Sequence, residues 1–227
     1  MTQKAILSWS GGKDSAFALH AVQTSKEFEI VALLTTVTGE YERISMHGVR
    51  QVLLEQQAAS LGLPLEPVVI STKCSNEEWE SKVAEVLTRH QRAGANHVII
   101  GDIFLEDLRA YREKNLAKIG MKGAFPLWKR DTRELSREFI DTGFRTIITC
   151  VDTEQLDGSF AGRVYDREFL SDLPDGVDPC GENGEFHSFV YDGPPFAAPV
   201  SFTKGETVLR ENRFRFCDLV PDGSVGE

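Results

Sequence analysis

The sequence predicts an α/β protein with a doubly wound parallel sheet and a smaller α+β lobe at its C-terminal end. Three observations support this. Short apolar, β-branched runs alternate with helical stretches through about the first 150 residues. A glycine pair, Gly11 and Gly12, closely follows the first of those runs. Beyond about Asp152, glycine and proline cluster, and extended segments follow without helices between them.

The chain opens with a strand, a tight turn and a helix. Residues 5–9 are mostly apolar and run into the turn, and residues 14–22 are rich in helix formers. A β-branched run over 29–37 predicts a second strand, residues 49–61 predict a helix, and residues 65–70 predict another buried strand. This alternation is typical of βαβ units.

The clearest helix begins at a capping-box pattern, Ser75 with Glu78, and its apolar residues, Trp79 among them, recur at helical spacing until Gly94. We expect Trp79 in the core. The remaining elements of the first part are a strand, two helices and a strand, over residues 97–103, 105–119, 131–143 and 146–151. Strands separated by helices favour a parallel sheet with right-handed crossovers.

Two regions follow from this pattern. We predict an α/β domain over residues 1–150 and a smaller C-terminal lobe over residues 151–227. In the lobe, residues 186–191 and 207–216 are expected to be extended.

The composition narrows the class of protein. Hydrophobic residues make up 41% of the 227 residues, and the net charge of −10 does not favour nucleic acid as a partner. The four cysteines form no C-x-x-C pair, which argues against a zinc ribbon or a dithiol redox site. No apolar run approaches the ~20 residues of a membrane span, and no export signal opens the chain. We therefore expect a cytoplasmic protein with no membrane partner; its oligomeric state is open, a homodimer being one option.

The segment after the first strand has the features of a phosphate-binding loop. Ligands of open α/β sheets bind beyond the carboxyl ends of the strands, where this segment lies. Its glycines allow close approach of the backbone, and the helix N-terminus that follows favours an anion. Ser10 and Ser15 add hydroxyl groups and Lys13 adds a charge, whereas Asp14 suits a helix cap or a Mg²⁺ ligand. The spacing fits neither a Walker A motif nor G-x-G-x-x-G.

This segment, S-G-G-K-D-S, resembles the PP-loop of the N-type ATP pyrophosphatases, which belong to the HUP, or Rossmann-like, α/β proteins. The resemblance implies cleavage of ATP between the α and β phosphates and transfer of AMP to an acceptor. The residues that it assigns to ATP are Ser10, Gly11, Gly12, Lys13, Asp14 and Ser15. His47 is a further candidate for nucleotide contact, with a packed or solvated histidine as the alternative.

A second resemblance covers nearly the whole chain. Residues 101–103, 105–109, 111–113 and 125–128 resemble the diphthine-ammonia ligase family, and residues 181–186 are similar to its E-G-G-E motif. The resemblance implies that ATP adenylates a carboxylate, pyrophosphate leaves, and ammonia attacks to form an amide. The partners that it implies are ammonia and a small-molecule or protein carboxylate acceptor.

Two departures from the family pattern point to a bacterial-type branch. Asn183 replaces a glycine, and His187 stands where archaeal and eukaryotic members usually carry an acidic residue. Elongation-factor diphthamide is not expected as the product in that branch. The sequence therefore leaves the acceptor and the nitrogen donor open.

Three carboxylates are the candidate catalytic residues. Asp102 lies at the end of a predicted strand, where it would face the cleft and bind Mg²⁺ or the incoming amine, with a helix cap as the alternative. Glu182 and Glu185 lie in a glycine-rich turn that would present carboxylates to the cleft, although a surface turn uses the same residues.

Four other residues are candidates for substrate binding. Glu106, Arg109 and Glu113 lie on one helical face, where Arg109 would contact a phosphate or a carboxylate. The alternative is a solvated ion-pair ladder. His187 is the fourth candidate, with a packed histidine as the alternative.

Two other functions compete with the adenylating ligase. A regulatory module would hold ATP or AMP without turnover. A PP-loop tRNA sulfur-transfer enzyme would need a reactive cysteine and a basic RNA-binding surface, and the acidic charge and scattered cysteines favour neither.

Overall fold

A computed structural model describes residues 2–40, 43–44 and 48–222 of the chain. Five parallel strands form the first sheet, in the order β4-β2-β1-β5-β6, and a short strand, β3, pairs antiparallel with β2. Their bounds are β1 Gln3–Ser8, β2 Phe28–Thr38, β3 Arg43–Ile44, β4 Leu65–Ile70, β5 His97–Ile99 and β6 Lys122–Ala124. The strand order reverses beside β1, so a ligand crevice opens where β1 ends.

Helices cover both faces of the parallel sheet. Their bounds are α1 Lys13–Ser25, α2 Gln51–Leu61, α3 Asn76–Arg92, α4 Glu106–Lys118, α5 Thr132–Asp141 and α6 Arg167–Asp172. Ser75 caps α3 as predicted, because its side chain accepts a hydrogen bond from Glu78 N. The predicted doubly wound α/β fold is therefore confirmed. No helix in the described part of the chain is long and apolar enough to span a membrane.

A separate antiparallel sheet has the strand order β8-β7-β10-β9. Its strands are β7 Arg145–Asp152, β8 Phe186–Asp192, β9 Phe202–Arg210 and β10 Phe214–Pro221. Residues 207–216, expected to form one extended segment, belong to two strands, β9 and β10. Glu211 and Asn212, both with positive φ, turn the chain between them.

The strand predicted over residues 146–151 is present as β7, but the prediction that it belongs to the parallel sheet is wrong. It pairs antiparallel with β8 and β10. All its residues after Arg145 are buried, and a strand buried on both faces has the continuous apolar run that is also typical of parallel sheets. A boundary drawn between the two sheets would precede Arg145. Division of the chain into independently folding units stays a prediction.

One hydrophobic core spans both sheets. Buried residues of α1 and α2, such as Phe17 and Leu54, belong to the same packed cluster as Phe189 of β8 and Leu219 of β10. A second cluster, with Leu87 of α3 and Leu116 of α4, covers the opposite face of the parallel sheet. Helix α1 therefore lies between the two sheets.

Candidate active site

The PP-loop, residues 10–15, connects β1 to α1 at the carboxyl edge of the parallel sheet. Gly11 has φ +76°, and a Cβ built there would lie 2.8 Å from Gln57 Oε1, so both backbone and packing require glycine. Gly12 has the extended φ of −89° just before α1. A Cβ at Gly101, which follows β5, would lie 2.8 Å from the backbone carbonyl of Asp14. The loop after β5 thus packs directly on the first turn of α1.

Hydroxyl groups hold the PP-loop in shape. Ser15 Oγ donates a hydrogen bond to Gly12 O at 2.9 Å, and Ser10 Oγ lies 3.2 Å from Ser15 Oγ. The N–H of Gly12 donates to Ser10 Oγ at 3.3 Å. The two serines that the motif supplies therefore bind each other and the loop backbone.

The antiparallel sheet also contacts the PP-loop. Val190 N in β8 donates to Gly11 O at 2.9 Å, and Lys13 N donates to Ser188 Oγ at 3.2 Å. Strand β8 thus lies against the start of α1, and both sheets contribute to the walls around the loop.

Lys13 and Asp14 form an ion pair where the PP-loop enters α1, with Nζ and Oδ1 2.6 Å apart. Only 4% of the Lys13 side chain is exposed, against 34% for Asp14. Burial opposes the charge of Lys13, but nearby acidic groups, Asp14 first, raise its pKa above the usual value. Burial raises the pKa of Asp14, despite the favourable interaction with Lys13. An added phosphate would therefore compete with Asp14 for the Lys13 ammonium.

A second turn, residues 178–185, faces the PP-loop from the antiparallel sheet and is here called the acidic turn. Glu182 Oε1 accepts hydrogen bonds from Ile103 N at 2.6 Å and from Phe104 N at 3.3 Å, in the loop after β5. Burial raises the pKa of Glu182 to about 7, and the negative charge of Asp14 adds to the rise. Its carboxylate is therefore poised to exchange a proton near neutral pH.

Glu185 has a different environment within the same turn. Its carboxylate accepts hydrogen bonds from Asp178 N at 2.9 Å and from Asn183 N and Nδ2, both at 3.0 Å. Only 3% of Glu185 is exposed. Its side chain therefore fixes the shape of the acidic turn, and the catalytic role expected of Glu185 stays a prediction.

Asp102 follows β5 and forms an ion pair with Arg112 of α4, with Oδ2 and Nε 2.8 Å apart. Burial raises the pKa of Asp102 although Arg112 opposes that rise, and Asp14 adds to it. Asp102 thus lies close enough to the PP-loop for the two carboxylates to influence each other. Sequence reasoning missed Arg112, which lies four residues before the buried Leu116 and so on the same side of α4.

A cavity of about 870 Å³ opens beside the PP-loop, between the sheet and helices α3 and α4. A volume of this size is in the range of small-molecule sites. The prediction that Trp79 lies in the core is wrong: it is half-buried, lines this cavity and donates from Nε1 to Thr36 Oγ1 at 3.1 Å. Other lining residues are Ser10, Thr35, Leu108, Arg112 and His187.

Of the two candidate histidines, the structure describes only His187. His187 lies in the wall of the cavity. Burial, together with the charge of Lys13, lowers its pKa to about 4, so it is neutral at physiological pH. A neutral imidazole with that pKa is a weak base but a good hydrogen-bonding group. His47 lies outside the described residues.

The row of Glu106, Arg109 and Glu113 lies on one face of α4, but none of the three lines the cavity. Arg109 donates to Glu113 at 2.9 Å, and its guanidinium lies 4.6 Å from the Phe125 ring and 4.5 Å from the Trp128 ring. Glu106 pairs with Lys129. These contacts are those expected of an ion-pair ladder, which was the alternative to substrate binding. A role for the three residues in substrate binding stays a prediction.

Metal binding was expected at Asp102. Within residues 2–40, 43–44 and 48–222, no group of three or more histidine, cysteine or acidic side chains is arranged to hold a metal ion. Mg²⁺ needs no such group, since it commonly binds one or two carboxylates together with phosphate oxygens. The oxygen donors of Asp14 and Asp102, close to the PP-loop, fit that requirement.

The fold and the site together define an α/β protein with a PP-loop where its first strand ends. Two family models match the chain: the diphthamide synthase N-terminal domain over residues 3–123, and the diphthamide synthase C-terminal domain over residues 131–218. The chain belongs to the diphthamide synthase family.

Several curated relatives are diphthine–ammonia ligases. The human protein is 26% identical over 88% of this chain and 83% of its own length. The zebrafish protein, from Danio rerio, is 27% identical over 89% of this chain and 88% of its own length. The Schizosaccharomyces pombe protein is 26% identical over 88% of this chain but only 36% of its own, longer sequence.

Among solved structures, a U34-tRNA thiolase from Methanococcus maripaludis with a 4Fe-4S cluster aligns with a TM-score of 0.38 and 15% identity. The alignment covers 62% of this chain and 58% of the thiolase. A likeness this low bears on neither the fold nor the function.

Proposed function

We propose that this protein is an ATP-dependent ligase that adenylates a carboxylate and converts it to an amide with ammonia. The observation that carries the proposal is the closeness of Glu182 to the PP-loop, where the charges of Asp14 and Lys13 act on its carboxylate. The family's ligase members support the same reaction class. Diphthine is one candidate acceptor, because the relatives are named for it.

ATP would bind with its phosphates at the N-terminus of α1. The loop N–H groups and Lys13 would stabilise the phosphate charge, as helix N-termini do for anions. The adenosine part would occupy the cavity, where Trp79 and Leu108 offer apolar surface and Thr35 Oγ1 is buried without a hydrogen-bond partner. Mg²⁺, held by Asp14 or Asp102 with phosphate oxygens, would neutralise part of the phosphate charge.

Two steps would follow. An acceptor carboxylate oxygen attacks the α-phosphorus, the bond to the bridging oxygen breaks, and pyrophosphate leaves with that electron pair. The nitrogen of ammonia then attacks the acyl carbon of the acyl-adenylate, and AMP leaves with the carboxylate oxygen. Glu182 would take the proton released by the nitrogen, since a pKa of about 7 matches that task. Arg112, which lines the cavity, would hold Asp102 in place near the PP-loop.

Cys180 bears on the sulfur-transfer alternative. The cysteine is buried, and burial raises its pKa to about 12 even though Lys13 nearby opposes the rise. It is therefore a neutral thiol at physiological pH, the unreactive form in sulfur chemistry. The neutral Cys180 thiol therefore favours the ligase reaction over sulfur transfer.

The test is transfer of oxygen from acceptor to AMP. Purified protein is given ATP, Mg²⁺, ammonium and a panel of carboxylates labelled with ¹⁸O, including a diphthine-bearing protein. We expect pyrophosphate release and one ¹⁸O in the phosphate of AMP by mass spectrometry. Detection of ADP and phosphate as the products would contradict adenylation. Tight ATP binding without pyrophosphate release across the panel would favour the regulatory module.

A further inference from the structure

A buried glutamine connects three parts of the molecule that meet at the PP-loop. Gln57, on α2, is fully buried. Its Oε1 accepts a hydrogen bond from Trp9 Nε1 at 2.9 Å, and its Nε2 donates to Gly11 O at 3.0 Å and to Val190 O at 2.6 Å. One side chain thus links the end of β1, the loop and β8.

The pattern of these bonds requires an amide at this position. Two backbone carbonyls need two donors, and the indole N–H needs one acceptor, which is the full set that a glutamine side chain offers in this orientation. A carboxylate would place negative charge against both carbonyls. An apolar side chain of similar size would remove all three bonds, although Gly11 O would keep the bond from Val190 N. A buried polar group left without any partner costs about 1–3 kcal/mol.

Gln57 contacts Gly11, whose positive φ sets the geometry of the PP-loop. Gly11 O receives hydrogen bonds from both Gln57 Nε2 and Val190 N, and a Cβ at Gly11 would lie only 2.8 Å from Gln57 Oε1. The peptide after Gly11 is therefore held from two sides. Gly12 N and Lys13 N already donate to Ser10 Oγ and Ser188 Oγ, so the N–H groups that would face a phosphate are the next ones, in the first turn of α1.

We propose that Gln57 is a positioning residue for phosphate binding: it fixes the peptide after Gly11, so that the loop N–H groups stay aimed at the pyrophosphate part of ATP. The inference rests on the proposed function, in which the PP-loop binds ATP. Gln57 is not among the residues that line the cavity, so its effect on nucleotide must pass through the loop.

The experiment compares ligands that use the loop with a ligand that does not. Binding of ATP, inorganic pyrophosphate and adenosine to the full chain is measured by calorimetry for wild type, Gln57→Glu and Gln57→Met. We expect both variants to lose about tenfold or more in affinity for ATP and pyrophosphate, while adenosine affinity changes less than about twofold. In turnover, KM for ATP rises more than kcat falls.

The control is Gln56→Glu, which makes the same chemical change one residue earlier on α2, at a half-buried position. It should bind all three ligands like wild type. Melting temperature is recorded for every variant.

Three outcomes decide between the explanations. Unchanged pyrophosphate affinity in folded Gln57 variants overturns the inference. Parallel loss of adenosine and pyrophosphate binding, or loss of the fold in both variants, also overturns it, because the role is then general stability. A wild-type protein that binds neither ATP nor pyrophosphate sinks the proposed function itself, and so is distinct from the other two.

Discussion

The PP-loop and the acidic turn lie close together, but they are stabilised in different ways. Besides its own serines, the PP-loop is held from outside: Gly11 O accepts hydrogen bonds from Gln57 and Val190, and Lys13 N donates to Ser188 Oγ. The acidic turn is held from within, by the Glu185 carboxylate. A loop that must leave its N–H groups available for a ligand cannot use them all on itself. The acidic turn presents the Glu182 carboxylate, and it can use the Glu185 carboxylate to hold its own backbone.

The comparison predicts different defects for the two regions, and the largest concerns Glu182. Glu182→Gln keeps an oxygen for the N–H groups of Ile103 and Phe104 but cannot take a proton. Pyrophosphate release and ATP affinity should remain, while amide formation falls by about 10²–10⁴-fold. Single-turnover assays that follow the acyl-adenylate and the amide separately check this. A normal rate of amide formation would remove Glu182 from the proton transfer.

Glu182 also predicts a pH dependence. Its pKa of about 7 in the folded protein lies above the ordinary value for a glutamate, so its contribution to stability is present at acid pH and is lost as pH rises through about 7. Relative to wild type, Glu182→Gln should therefore gain stability between about pH 5 and pH 8. Urea unfolding of both proteins at these two pH values measures the difference. A constant difference would mean that this pKa is close to ordinary.

In the PP-loop, the next largest effect is expected from Gly12→Val. Gly12 has an extended backbone that valine tolerates, so the fold should persist. The added side chain would occupy the place where phosphate approaches the backbone, and we expect pyrophosphate and ATP to bind about 100-fold more weakly. Adenosine binding serves as the internal control. Wild-type ATP affinity in a folded variant would contradict the PP-loop assignment.

A smaller, indirect effect is expected from Glu185→Gln. The new amide group would face backbone N–H donors, which loosens the acidic turn at a cost of about 1–3 kcal/mol. ATP affinity should be kept, and amide formation should fall because Glu182 loses its support. Thermal unfolding and the single-turnover assay are measured together. Loss of ATP binding with the fold intact would instead place Glu185 in the nucleotide or Mg²⁺ site.

The smallest effect is expected at Arg109 of α4, which does not line the cavity. Arg109→Ala removes ring contacts worth about 0.5–1 kcal/mol and should change turnover less than about twofold. Arg112→Ala, on the cavity face of the same helix, leaves Asp102 without its partner and should cost about tenfold or more. Steady-state turnover of the two variants, measured side by side, compares the two positions on α4 directly. A larger defect in Arg109→Ala would support its predicted substrate role.

Local features of the site were predictable, and distant ones were not. The motif placed the PP-loop correctly after β1, because strand, turn and helix are adjacent in sequence. Spacing put Glu106, Arg109 and Glu113 on one face of α4, but periodicity alone does not say which face meets the cleft. Neither Ser188 nor Gln57 carries a motif, since a single polar side chain gains its role only from what the fold packs beside it.

The contact between the PP-loop and β8 has a consequence for the growing polypeptide. Lys13 and Ser188 are 175 positions apart, and Gln57 and Val190 are 133 positions apart. During synthesis the first strand and helix leave the ribosome long before β8 exists. A nascent chain therefore cannot complete its phosphate site until nearly all of it has emerged, and such distant pairings fold slowly. Pyrophosphate binding by a stalled chain would then report that folding has reached β8.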